Sequence, residues 1–173
     1  MTDLTTDPIE TIEEFLVHAL ELEEASGDQY DELADSMEIH HNLEVAELFR
    51  KLAGYSRQHA KEVHDRTEGM QLPSLTPWDF KWKCPSSPDA FCMEDANYLM
   101  TVTQAMEIAL FNEIRGRDFY YMISENSPNE SVRVMAAEMA KEEGWHVEML
   151  RDWQSRLRDE QPLEDLDPPN MPE

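Results

Sequence analysis

The chain is poor in basic residues, and this shortage limits its possible partners. It contains 14 lysines and arginines against 38 aspartates and glutamates, which gives a formal net charge of −24 over 173 residues. An exterior this acidic repels nucleic-acid phosphates and anionic membrane surfaces, so we expect neither as a partner. The same charge is typical of a well-solvated surface, so it identifies no partner by itself.

Cysteine is also scarce, because Cys84 and Cys92 are the two cysteines of the chain. Two cysteines are too few for a disulfide framework. The seven residues between them do not match the CxxC spacing of a metal knuckle. We therefore expect two free thiols in a loop rather than a disulfide.

Long hydrophobic runs are absent, and none approaches the ~20 residues that a membrane-spanning helix requires. The N-terminal stretch MTDLTTDPIE is acidic and lacks the basic-then-apolar order of a secretory signal. These absences predict a cytoplasmic protein without a membrane segment.

Proline is missing from three long stretches, which are residues 9–72, 89–127 and 129–161. Proline is excluded from helix interiors because it lacks the N–H group and clashes with the preceding turn. The stretches therefore predict long helices, and a break at His40-His41-Asn42 divides the first stretch into two. The result is an all-α chain of four helices.

The connections between the four helices predict how they pack. Short first and third links make two antiparallel helical hairpins, and a long crossover over about 70–92 joins them into a four-helix bundle. We expect this bundle to be one domain over residues 1–161. The acidic, proline-rich tail at 162–173 is expected to be disordered.

Capping residues predict where the helices begin and end. Asp7 and Pro8 have the order of an N-cap and a first-turn proline. Asn42 is a candidate N-cap for the second helix, and Gly69 suits the end of that helix. The run Ser127-Pro128-Asn129-Glu130 has the pattern of a capping box for the fourth helix.

Each predicted helix has an apolar stripe at alternating spacings of three and four residues, and polar or small residues interrupt it near the middle. The interrupting residues are Glu23 and Ser26, Ser56 and His59, Glu113 and Gly116, and Glu143 and His146, in helix order. Antiparallel packing places these interruptions at a similar depth. A buried ionised carboxylate must be paired or bound to a metal ion.

Five of these side chains are candidate metal ligands: Glu23, His59, Glu113, Glu143 and His146. Three carboxylates and two imidazoles form a donor set that suits iron or manganese, and two ions more naturally than one. The spacings repeat in both halves, since Tyr30 follows Glu23 by seven residues and Tyr120 follows Glu113 by seven. This indicates an internal repeat of a helical hairpin. We expect both tyrosines to lie in the core, with their hydroxyls bonded to a carboxylate.

These motifs resemble the rubrerythrin-like members of the ferritin-like di-iron carboxylate superfamily over roughly residues 9–160. The segments that carry the resemblance are ALELEEASGDQYDELA, ELFRKLAGYSRQHAKEV, IALFNEIRGRDFYYMI and MAKEEGWHVEML. The superfamily pattern is one glutamate on each of two helices and Glu-x-x-His on each of the other two. The resemblance implies Glu23 and Glu113 as the lone glutamates, Glu143 as a bridging ligand, and His59 and His146 as imidazole ligands.

The resemblance also implies a function. It suggests iron as the cofactor, as one or two ions, with manganese or zinc possible in its place. The implied activity is an oxidoreductase that reduces peroxide or oxidises ferrous iron. The chain lacks the paired CxxC motifs of a rubredoxin domain, so a separate electron donor is expected. A homodimer is the expected assembly.

One ligand position departs from this pattern, because Ser56 stands where the second helix should carry its glutamate. Three interpretations stay open. The site holds two ions, with water or another acid such as Glu62 filling in; or it holds one ion, through Glu113, Glu143 and His146 with others; or it is degenerate. A degenerate site corresponds to the alternative function, a binding or scaffold bundle without redox activity.

The remaining candidates are assigned to ordinary structural roles. His18 and His64 are predicted at the surface or boundary, and His40 and His41 in a surface turn. Ser26 and Gly116 either leave room for solvent or substrate or allow close helix packing. The aromatic residues of the crossover, Trp78, Phe80 and Trp82, cover the bundle or form a dimer contact.

Overall fold

Four helices make up the fold, and the computed structural model describes residues 7–82 and 98–160, with side chains up to residue 156. The helices are α1 (Ile12–Ile39), α2 (Leu43–Arg66), α3 (Val102–Asn126) and α4 (Glu130–Glu160), and the described residues contain no strand. α1 packs along α2, and α3 packs along α4. The prediction of an all-α four-helix bundle built from two hairpins is confirmed. None of the described helices meets the length and hydropathy needed to span a bilayer.

The start of α1 differs from the prediction. Its N-cap is Thr11, whose Oγ1 accepts a hydrogen bond from the backbone N–H of Glu14 at 3.1 Å. The assignment of Asp7 and Pro8 to this cap was wrong by one helical turn. Threonine satisfies the free N–H groups of a first turn as aspartate does, so local sequence alone did not separate the two candidates.

The predicted N-cap of α4 was also wrong. Asn129 precedes the helix, and its Oδ1 accepts from the backbone N–H of Ser131 at 3.0 Å. Ser127, the predicted N-cap, instead ends α3, and its hydroxyl donates to the carbonyl oxygen of Ile9 at 2.6 Å. This bond joins the start of the first hairpin to the turn of the second.

The first hairpin turns at the predicted histidines. His41 has a φ of 61°, in the left-handed region, and the chain reverses there. Asn42 is the N-cap residue of α2, as predicted, but its side chain makes no capping bond. Its Nδ2 donates to the carbonyl oxygen of Met100 at 2.8 Å, which holds this turn against the start of α3.

Two apolar clusters lie along the bundle. One includes Leu33, Phe49, Leu52, Met106 and Leu150. The other includes Phe15, Leu22, Val63, Ile123 and Val132. Burying each such side chain contributes roughly 1.5–3 kcal/mol, so these clusters stabilise the bundle and hold the polar residues of the stripes in place.

His18 was predicted at the surface or boundary, and that prediction was wrong, because the residue is fully buried. Its Nδ1 donates to the carbonyl oxygen of Glu14 at 2.8 Å, and its Nε2 accepts from the backbone N–H of Lys81 at 2.9 Å. These bonds require a neutral ring, and burial lowers the pKa of His18 accordingly. Phe80 and Trp82 pack edge-on against the same ring. His18 therefore anchors the first part of the crossover to α1.

Some predictions fall on other parts of the chain. Cys84, Cys92 and the tail at 162–173 lie outside the described residues, as does most of the crossover beyond Trp82. The single-domain boundary, the free thiols and the disordered tail therefore stay predictions.

Candidate metal centre

The five predicted ligands come from all four helices and lie together in the bundle. Glu23, Glu113 and Glu143 are buried, with 2%, 6% and 3% of their surface exposed. The side chains of His59 and His146 are 13% and 16% exposed. The structure therefore brings together every predicted site residue, while their role as metal ligands stays a prediction.

Glu143 lies between the two histidines. Its Oε1 is 3.5 Å from Nδ1 of His59, and its Oε2 is 3.5 Å from Nδ1 of His146. One ligand atom from each of these three residues falls within 4.8 Å of the other two. A carboxylate that presents one oxygen to each imidazole is placed as a bridging ligand would be.

The two lone glutamates complete the arrangement on either side. Oε2 of Glu23 is 3.6 Å from Nδ1 of His59, and Oε2 of Glu113 is 3.1 Å from Nδ1 of His146. We call Glu23, His59 and Oε1 of Glu143 the first half-site. Glu113, His146 and Oε2 of Glu143 form the second half-site.

Tyr30 and Tyr120, at matching positions of the internal repeat, connect the two hairpins. The hydroxyl of Tyr30 donates to Oε1 of Glu113 at 2.9 Å, and that of Tyr120 donates to Oε1 of Glu23 at 3.1 Å. The prediction that each hydroxyl bonds a carboxylate is confirmed, although each tyrosine reaches the glutamate of the other hairpin. Because the tyrosines occupy both Oε1 atoms, the Oε2 atoms are directed to the histidines.

The imidazole rings are stacked. The planes of His59 and His146 differ by 10°, and their centroids are 4.9 Å apart. Tyr55 stacks on His146 as well, at 5.2 Å and 24°. Tyr55 was not predicted as a site residue, and its position one helical turn before His59 was the signal that could have identified it.

Ser56 does not replace the missing carboxylate. Its hydroxyl is 3.1 Å from that of Ser26, and both residues are buried. A Cβ added at Gly27 would lie 3.6 Å from Cβ of Ser56 and 3.3 Å from Cγ of Arg57, so α1 and α2 approach closely here. The structure therefore supports close helix packing, rather than room for substrate, as the role of Ser26.

The carboxyl groups differ in acidity because they have different neighbours. Burial opposes ionisation of Glu143, but hydrogen bonds with His146 and His59 outweigh it and lower its pKa to about 2. Burial raises the pKa of Glu23 to about 7, and the charge of Glu143 adds to this rise. Burial likewise raises the pKa of Glu113 to about 7, although His146 opposes the shift.

The pKa values of the two histidines shift upward, whereas burial of a base is expected to lower its pKa. Burial lowers their pKa, but hydrogen bonds to the carboxylates outweigh it, so the pKa of His59 rises to about 11 and that of His146 to about 9. These shifts favour protonated imidazole rings beside Glu143 in the metal-free site. A cation that enters the site must displace these protons.

Two other candidates lie apart from this cluster. His64 is exposed, as predicted. Glu62 is also exposed, and its carboxylate accepts from Nε2 of Gln58 at 3.0 Å. It lines a small cavity beside His59, and it is not among the described carboxyl groups that contact the imidazoles.

The fold and the site together define a class, since a four-helix bundle in which every helix contributes a glutamate or a histidine to one buried site is typical of ferritin-like carboxylate proteins. The rubrerythrin family model matches residues 14–77. The crystal structure of an uncharacterised conserved protein from Magnetospirillum magnetotacticum MS-1 is similar as well. It is 39% identical, the match covers 84% of this chain and 95% of that chain, and the TM-score is 0.67. No curated protein gives a significant match. The chain belongs to the rubrerythrin-like group of the ferritin-like superfamily.

Proposed function

We propose that the protein binds two iron ions, one in each half-site, and that Glu143 bridges them. The observation that carries this proposal is the placement of Glu143, whose two oxygens face two different imidazoles at the same distance of 3.5 Å. Carboxylate and imidazole donors suit iron, and manganese or zinc would also be accepted by this set.

The stacking of the imidazoles favours two ions over one. A ligand nitrogen of imidazole directs its lone pair within the ring plane, and metal–nitrogen bonds are only about 2.0–2.1 Å long. The rings of His59 and His146 are nearly parallel, with centroids 4.9 Å apart. One ion could not lie in both planes without rotation of a ring, so each histidine would hold an ion of its own.

The donor set suits iron, but it has one negative charge too few for two divalent ions. Three carboxylates carry three negative charges, whereas two divalent ions carry four positive charges. Ser56 removes the carboxylate that would balance this difference. We therefore expect the second ion to bind more weakly than the first.

Ferrous ions held by these residues would supply one electron each to peroxide or dioxygen. Hydrogen peroxide takes up two electrons and two protons, its O–O bond breaks, and two water molecules result. The residues of the chain position and protect this centre: Tyr30 and Tyr120 orient the lone glutamates, and burial limits the access of bulk water. A separate electron donor would return the electrons, and we expect the protein to act as a homodimer.

Anaerobic reconstitution with ferrous iron tests the proposal. We expect two ions per chain at saturation, and oxidation on addition of peroxide at a rate above that of free ferrous iron. E143Q is a suitable control, because it keeps the shape of the bridging residue and removes its charge. Binding of less than one ion, together with no oxidation beyond the free-metal rate, would refute this function.

The alternative is a binding or scaffold bundle without redox activity. Two observations favour it: Ser56 is engaged with Ser26, and the two histidines already contact all three buried carboxyl groups. A scaffold of this kind would keep the same melting temperature with and without ferrous, manganous or zinc ions. A metalloprotein should melt higher when loaded, because the ligand binds only the folded state.

A further inference from the structure

His18 of α1 holds the first part of the crossover through a backbone hydrogen bond. Its Nε2 accepts from the N–H of Lys81 at 2.9 Å, and its Nδ1 donates to the carbonyl oxygen of Glu14 at 2.8 Å. A carbonyl oxygen only accepts and a backbone N–H only donates, so these two partners fix the tautomer of the ring. We call the bond between His18 and Lys81 the crossover contact. It requires a neutral imidazole, because Nε2 must carry a free lone pair.

The ring of His18 lies among aromatic side chains and is fully buried. Phe80 and Trp82 of the crossover meet it edge-on, with 5.1 and 5.5 Å between ring centroids. Phe119 of α3 stacks on it at 6.5 Å. Phenylalanine has no polar side-chain atom and the indole N–H is only a donor, so none of the three supplies a lone pair to a second N–H of the imidazole. A positive charge on this ring would therefore be poorly solvated.

Two charged side chains lie near the ring, and their effects on it oppose each other. Glu14 favours a positive charge on His18, whereas Lys81 disfavours one. The two are paired, since Nζ of Lys81 is 2.5 Å from Oε1 of Glu14. The contact from α3 is the uncharged ring of Phe119. Burial has the largest influence and lowers the pKa of His18 below its ordinary value of 6.5.

We propose that the crossover contact is a pH-sensitive switch, which holds the crossover on the bundle at neutral pH and releases residues 80–82 when His18 is protonated in mild acid. A proton added to Nε2 turns this atom from an acceptor into a donor. The ring then directs an N–H toward the N–H of Lys81, and both groups are left without an acceptor. Movement of the crossover away from α1 lets water satisfy both groups and solvate the charge. The inference does not depend on metal binding.

Release of these residues would uncover part of the second apolar cluster. Trp82 packs edge-on against Phe119, with 5.8 Å between ring centroids, and Phe119 is only 6% exposed. Phe119 also contacts the ring of Tyr120, whose hydroxyl donates to Glu23. The switch therefore acts on the cluster that holds one of the two tyrosines of the candidate metal centre.

The pH dependence follows from the direction of the pKa shift. A base whose pKa is lower in the closed state than in the open state favours opening as the pH falls. Opening should become about tenfold more favourable for each pH unit below 6.5, until the ring is protonated in the closed state as well. Glu23 and Glu113 titrate in a neighbouring range, so the melting of the whole protein does not isolate this effect.

Hydrogen exchange of the Lys81 amide, followed by NMR on the full-length metal-free chain, tests the switch. The protection factor is the ratio of the intrinsic to the observed exchange rate, which removes the direct effect of pH on exchange. This factor should fall about tenfold between pH 7 and pH 5. Nitrogen chemical shifts of the His18 ring should report protonation over the same pH range. Far-ultraviolet circular dichroism should stay constant, which would show that the helices remain folded.

Two variants separate His18 from other acid-sensitive groups. H18Q cannot take up a proton, so its Lys81 protection should be lower than in the wild type at pH 7 and should not change with pH. H64Q removes an exposed histidine of α2 and should keep the pH dependence of the wild type. The ring shifts of the wild type give an answer even if H18Q folds poorly.

Three outcomes would overturn the inference. In the first, Lys81 protection stays constant while the ring of His18 becomes protonated. In the second, H18Q keeps the pH dependence of the wild type, which would assign it to the ion pair of Glu14 and Lys81. In the third, the ring is protonated only when the helices unfold.

Discussion

Tyr30 of α1 donates a hydrogen bond to Glu113 of α3, with 2.9 Å between the hydroxyl and Oε1. The counterpart bond runs from Tyr120 to Glu23 at 3.1 Å, so each hairpin orients the carboxylate of the other. Because all four groups are buried, water cannot replace these bonds. Because each tyrosine bonds the glutamate of the other hairpin, the two repeats form one shared site rather than two separate sites.

Removal of either tyrosine hydroxyl should destabilise the metal-free protein. We expect Y30F and Y120F each to lower the free energy of unfolding by about 1–3 kcal/mol, since a buried carboxyl loses its donor. Urea denaturation in the presence of a chelator measures the effect. Y121F is the control, because Tyr121 is 60% exposed, and its loss should be close to zero. Equal effects for all three variants would contradict the structural role of the bonds.

Restoring the missing carboxylate should strengthen binding of the second ion. We predict that S56E raises the affinity for this ion, because a fourth negative charge balances two divalent cations. Calorimetric titration with ferrous or manganous ions gives both the stoichiometry and the affinity. S56A removes the same hydroxyl bond to Ser26 without adding charge, and it should not tighten binding. If S56E and S56A bind alike, Ser56 does not occupy a ligand position.

The stability of the metal-free protein should fall as the pH rises. The folded-state pKa values of His59 and His146, about 11 and 9, lie above the ordinary value of 6.5. Their contribution is therefore complete below pH 6.5 and is lost as the pH rises through 9 to 11. The raised pKa values of Glu23 and Glu113 act in the same direction between 4.5 and about 7. Glu143 acts oppositely, since its contribution is lost as the pH falls from 4.5 toward 2.

Melting temperatures of the metal-free protein between pH 5 and 10 measure this dependence. General repulsion among the acidic groups also grows with pH, so the variant H59Q is needed as a reference. The advantage of the wild type over H59Q should shrink toward alkaline pH. Two parallel curves would show that His59 gains no proton affinity from its carboxylate neighbours.

Disrupting the anchor of the crossover should loosen the segment that follows Trp78. We expect H18Q to lose about 1–3 kcal/mol of stability, because the partly buried N–H of Lys81 and the carbonyl of Glu14 lose their shared partner. Limited proteolysis should cut H18Q faster within the crossover than the wild type. H64Q, a change at an exposed histidine, should alter neither property. Identical cleavage of H18Q and the wild type would contradict the anchoring role.

Helix periodicity was enough to predict the four helices and the five residues at the centre. The stripes repeat every three or four residues, and their polar interruptions stand out against apolar neighbours. Antiparallel packing of similar helices then places Glu23, His59, Glu113, Glu143 and His146 at one depth. Burying several carboxylates together is costly unless they are paired or bind a cation, so their shared depth alone indicated a site.

Predictions that depended on a choice between nearby candidates were less successful. Thr11 and Asn129 cap their helices in place of Asp7 and Ser127. The sequence did not separate these candidates, because several residues in each stretch had a suitable side chain. The hydroxyl of Ser127 does not cap α4, because it donates to the carbonyl oxygen of Ile9, a residue distant in the chain. His18 was predicted at the surface or boundary because its acceptor role depends on Lys81, 63 residues later.

By itself, the sequence determined the helices, their hairpin pairing and the identity of the buried acids and imidazoles, because these depend on spacing along a single helix and on the lengths of the links between helices. Only the tertiary structure decided that the tyrosines exchange glutamates, that Ser56 pairs with Ser26, and that the two imidazoles stack in parallel. These relationships depend on the rotation and depth at which one helix meets another. Rotation and depth are set by the packing of whole side chains, and no local spacing encodes them.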